Sequence, residues 1–66
     1  MEMIDRILEI LNERGISYPE FYTAIGITKS TFSRWKSKTV SISVKNVEKI
    51  ADYLDVSVDF LLGKQY

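Results

Sequence analysis

The chain has 66 residues, 45% hydrophobic and 27% charged, with nine cations balancing nine acids and neither cysteine nor histidine. That length allows one small domain, expected over residues 1–66, burying only about 60% of the surface its unfolded form exposes. Disulfides and Cys/His zinc sites are excluded, which leaves compact helical packing as the route to stability.

The opening "MEMIDRILEI" is acidic and amphipathic and does not suit a secretory signal. The longest aliphatic and aromatic run is Phe60-Leu61-Leu62, whereas a membrane span takes about 20 apolar residues. A cytoplasmic location is expected.

Taken in chain order, Ile4, Ile7, Leu8 and Leu11 form the i, i+3, i+4, i+7 stripe of an amphipathic helix over 3–14. Gly15 supplies the positive φ that ends it. "SYPE" starts a second helix: Ser17 caps it, Glu20 stands three residues on as in a capping box, and Pro19 occupies the first turn. Gly26 ends this helix. Thr28 caps a third, from Lys29 to about Ser37. After the glycine-free loop "KTVSI", Ser43 caps a fourth helix with apolar positions Val44, Val47, Ile50, Ala51 and Leu54. Ser57 caps a short fifth, with Asp59 near its positive end, and Gly63 stops it. There is no strand signal, repeat or linker, so the expected fold class is all-α, a compact bundle of five short helices.

Charge is unevenly spread. Residues 28–49 hold six cations and one acid, and the rest of the chain is correspondingly acidic. That asymmetry is what an anion-binding face requires. Within it, "TKSTFSRWKSK" surrounds two rings with five hydroxyls and four cations. On a helical wheel Phe32 and Trp35 fall within about 60° of each other and form an inward stripe. Ser30, Ser33, Arg34 and Ser37 share the opposite face, with Lys29 and Lys36 at one flank. Such a face suits the DNA major groove: serines permit close approach, and arginine can pair with guanine O6 and N7. A short helix and a tight turn through Gly26 precede it, completing a helix-turn-helix.

The stretch "SYPEFYTAIGITKSTFSRWKSK" resembles the helix-turn-helix of the lambda-repressor/Cro-like regulators, the XRE family. Phe21, Ile25, Gly26, Ile27, Ser30, Phe32 and Trp35 match it. The resemblance continues through "SVKNVEKIADYLDVSVDFLLG" and covers about residues 3–63. It implies a five-helix lambda-repressor-like domain with the helix-turn-helix at helices 2 and 3. Five positions depart from the pattern. Tyr22 replaces a small residue, usually alanine, so either helices 2 and 3 splay or its ring swings to the edge of their interface. Tyr18 replaces a common glutamine that reaches a phosphate. Lys38 and Asp55 stand at frequent glycines, and Ile42 at a frequent proline.

A buried Trp35 is the commoner arrangement than one stacked on a base, so Trp35 and Phe32 are expected in the core, and Tyr22 is expected to be structural. Cation runs are ordinarily solvated faces, but the helix-turn-helix frame favours function here. No base stands by the hydroxyls, the carboxylates are scattered, and the glycines stand alone, which excludes a recognisable enzyme site. The expected function is sequence-specific transcriptional regulation, as a repressor of bacterial, phage or mobile-element origin. Lys29, Ser30, Ser33 and Arg34 are the candidates for reading bases. Tyr18, Lys36, Lys38 and Lys45, with the amide end of the fourth helix at Ser43, are the candidates for holding phosphates. The expected partner is double-stranded DNA carrying a pseudo-palindromic operator, bound by a homodimer that forms either only on DNA or through the C-terminal end at Phe60, Leu62 and Tyr66. No cofactor, metal or membrane is implied. The alternative is a protein-interaction module of the same fold, antitoxin-like or a regulatory partner. The sequence would also suit the N-terminal domain of a longer repressor.

Overall fold

The structure, a computed structural model, describes residues 2–64. They form α1 (Met3–Arg14), α2 (Tyr18–Ala24), α3 (Lys29–Lys36), α4 (Val44–Leu54) and α5 (Val58–Leu62), and no strand occurs among the described residues. The starts are chemically marked. Ser17, Thr28, Ser43 and Ser57 each accept a hydrogen bond from the amide three residues on, at 3.2, 3.1, 3.3 and 3.0 Å. Each bond satisfies one donor that a helix start otherwise leaves unpaired. Only α1 begins differently, from Glu2 without a side-chain cap.

The ends share one device. In every helix an amide bonds back five residues: Ile16 to Leu11, Ile27 to Tyr22, Thr39 to Arg34, Val56 to Ala51 and Lys64 to Asp59, all at 2.9–3.0 Å. A shorter bond nests inside each, which makes the Schellman pattern and requires a left-handed residue in the turn. Three of those residues are the expected glycines. The other two are Lys38 (φ 64°) and Asp55 (φ 56°), which hold the same turn without being glycine. Aspartate tolerates this region better than most residues; lysine has no such aptitude.

The core is drawn from all five helices. Ile7, Leu11, Phe21, Ile50, Leu54 and Leu61 are fully buried, and Phe32 and Trp35 are each 2% exposed. The rings of α3 are thus in the core, as the wheel requires. Val44 departs from expectation: it opens α4 and is 76% exposed, and the buried stripe of that helix begins at Val47. Arg14 donates from Nη1 to the Leu54 carbonyl, tying the end of α1 to the end of α4 and satisfying an acceptor that α4 leaves open. Among the described residues no helix is long and apolar enough to cross a membrane.

Candidate nucleic-acid interface

The turn from α2 to α3 fixes the site. Gly26 takes φ 75°, and Thr28 immediately caps α3, its hydroxyl also donating to Thr31 Oγ1 at 3.0 Å. Phe32 then locks α3 onto α2: its ring centroid lies 5.6 Å from Phe21, 5.1 Å from Tyr18 and 5.8 Å from Tyr22. The Tyr18 and Phe21 contacts are edge-on, the arrangement ring quadrupoles favour. With Phe32 and Trp35 facing inward, the opposite face of α3 is free. Lys29, Ser30, Ser33 and Arg34 are all exposed there.

The other candidates are less alike. Lys36 sits at the flank with Nζ 5.0 Å from the Tyr18 ring centroid and 5.2 Å from that of Phe32. Two cation–π contacts narrow the wandering of a flexible side chain while leaving the ammonium at the surface. Tyr18 is 41% exposed beside it. Ser43 spends its hydroxyl on the cap of α4, so its amide end is what remains to offer, with Lys45 exposed in the first turn. Ser37, which the wheel placed on the outer face, donates to the Arg34 carbonyl at 3.1 Å and lies 2.7 Å from the Thr39 hydroxyl; it closes the helix end.

Lys38 is committed within the fold. Its Nζ lies 2.9 Å from Glu2 Oε2 and 3.2 Å from Asp5 Oδ2, both at the start of α1. Hydrogen bonds to Glu2 and then Asp5 raise its pKa above the ordinary lysine value. In sequence terms Lys38 is a phosphate candidate alongside Lys36. Here it joins the end of α3 to α1, and a phosphate would compete with two carboxylates for it. Nothing local announced this, since the partners lie 33 and 36 residues away.

Tyr22 takes the second of its two expected courses. It is half-buried, its ring tilted on Phe32 at the edge of the α2–α3 interface. There it walls a cleft of about 230 Å³ shared with Tyr18, Phe32, Lys29, Ser33 and Lys36. Sequence reasoning missed this cleft, although an outsized residue at that position was its visible sign.

The helix order, the tight turn and the outward polar face of α3 agree with the comparison to known families. A family model described as a Cro/C1-type helix-turn-helix DNA-binding domain matches residues 6–63. The chain belongs to that family. Its members' helix-turn-helix is a DNA-binding and transcription-regulating unit, so the chain is a DNA-binding regulator of the Cro/C1 type. Neither the curated proteins nor the solved structures compared with it give a significant match.

Proposed function

We propose that the protein is a cytoplasmic, operator-binding repressor that lays α3 in the major groove. The observation that supports this most directly is the division of α3 into two faces. Phe32 and Trp35 are buried on one, and Lys29, Ser30, Ser33 and Arg34 are exposed on the other. In this reading those four side chains meet base edges, Arg34 pairing with guanine. Tyr18, Lys36, Lys45 and the amide end of α4 at Ser43 meet phosphates and fix the register. Lys38 joins them only by giving up Glu2 and Asp5.

One recognition helix covers too few base pairs for a genomic address, so two copies would bind half-sites about 34–36 Å apart. Phe60 and Leu62, 37% and 45% exposed at the carboxyl end, are the proposed contact between them. Tyr66, the third residue expected there, lies outside the described residues.

The test is retention on random duplex DNA across a salt series. Log affinity should fall linearly with log salt, by about 0.9 per phosphate neutralised. Retention indifferent to salt, or none at any salt, would favour the protein-interaction module instead. Sedimentation on a selected operator should give two chains per duplex; one chain at saturation would remove the dimer.

A further inference from the structure

The cleft beside α3 has an unusual composition for its place. Phe32 lies buried at its base, Tyr18 and Tyr22 form walls, and Lys29, Ser33 and Lys36 are exposed at its edge. Tyr18 and Tyr22, with the buried Phe32 behind them, thus border the flank of α3 on which Lys29 and Ser33 stand. Apolar surface among cations on such a face calls for an occupant that is apolar itself and attached to an anionic polymer.

Size and occupancy narrow the choice. At about 230 Å³ the cleft is below the roughly 300–1,000 Å³ of pockets that enclose metabolite-sized ligands. It is not a platform for stacking a whole base either, because Lys36 Nζ already lies over the Tyr18 and Phe32 rings. A phosphate would find the lysines but gain nothing from the rings. The major-groove edges of DNA offer a single apolar group, the C5-methyl of thymine.

We infer that this cleft receives one thymine methyl per half-site, and that Tyr22 is the residue that makes it selective. The inference rests on the DNA-reading function proposed above. Lys29 and Lys36 hold the neighbouring backbone or base edge while the methyl packs against the open side of the half-buried Tyr22 ring. Where a family member has alanine at this position the Tyr22 wall is missing, so the preference belongs to this chain's own sequence.

Uracil tests the inference, since it lacks only the methyl. An operator is first obtained by selection from a random duplex library; each thymine is then replaced singly by uracil. At one position per half-site the wild-type protein should bind about fourfold more weakly, the equivalent of one buried methyl-sized group. Tyr22→Ala should bind the thymine and uracil operators alike at that position, while Tyr22→Phe should keep the discrimination. Melting curves of both variants establish that they are folded. An operator in which no thymine is sensitive to uracil overturns the inference with wild-type protein alone. So does undiminished discrimination by folded Tyr22→Ala. If no sequence is enriched in the selection, the DNA-reading function itself fails, and the cleft assignment fails with it.

Discussion

At its start α3 follows a left-handed Gly26; at its end it runs into a left-handed Lys38. Both turns carry the same nested hydrogen bonds, Ile27 to Tyr22 at one and Thr39 to Arg34 at the other. Glycine adopts this conformation at no steric cost, so the first turn is written into the backbone. Lysine pays for its Cβ, on the order of 1–2 kcal/mol. Its side chain adds two exposed ion pairs, to Glu2 and Asp5, to the turn's own hydrogen bonds. α3 therefore has one end set by glycine's backbone freedom and one end where charge adds a tether to the hydrogen bonds. The rigid end presents Lys29 and Ser30. The charge-held end lies beyond Arg34 and Lys36, and its grip weakens as salt screens exposed pairs.

The largest expected effect comes from removing what both ends depend on. Trp35, the last residue but one of α3, anchors that helix in the core, and Trp35→Ala should cost about 3–5 kcal/mol, comparable with the whole stability of a small domain. Loss of helical circular dichroism near room temperature is the expected readout. An unchanged Tm with lost DNA binding would make Trp35 a direct contact.

Next come the two cations before the charge-held end. Arg34→Ala should cost about 1–3 kcal/mol on the specific operator and relax preference at one base pair per half-site. Lys36→Ala should weaken all DNA about equally and shallow the slope of log affinity against log salt by about one unit. Salt titrations on specific and scrambled duplexes separate the two. The opposite pattern would exchange their roles.

The turns themselves can be compared directly. A Cβ added at Gly26 meets nothing within 4 Å, so Gly26→Ala isolates the backbone cost, about 1–2 kcal/mol at any salt concentration. Lys38→Gly is the converse. It relieves the backbone and removes the ion pairs, so its Tm relative to wild type should rise as salt is added. A salt-independent difference would show that the pairs do not hold this turn.

The smallest effect is expected from the acids. Glu2→Gln with Asp5→Asn should barely move stability in high salt, yet steepen the salt dependence of non-specific DNA binding by about one unit as Lys38 becomes available to a phosphate. The pairing raises the Lys38 pKa. Its contribution is therefore complete below the free-lysine value and lost only as pH climbs through the raised one. Through the neutral range the tether is intact.

Sequence legibility followed the same divide. The caps Ser17, Thr28, Ser43 and Ser57 and the stops Gly15, Gly26 and Gly63 act on neighbours within a few residues, and the helix limits could be read from them. Phe32 and Trp35 were legible because a 3.6-residue period places them on one side. Lys38 and Asp55 were harder, since they take a glycine's conformation without being glycine. The partners of Lys38 become apparent only when α1 packs beside the end of α3. Tyr22 was visible as an outsized residue, but where its ring goes depends on how two helices cross. The exposure of Val44 likewise depends on where the packing stops, which periodicity does not contain.

The central claim is that the outer face of α3 reads base edges from a pair of chains. Selection of the intact protein against a random duplex library tests it most directly. The expected result is one enriched pseudo-palindrome with half-sites about 10–10.5 base pairs apart, centre to centre. Guanine should dominate at a position whose preference disappears with Arg34→Ala. Enrichment of no sequence, or of one that Arg34→Ala, Ser33→Ala and Lys29→Ala all leave unchanged, would contradict the claim.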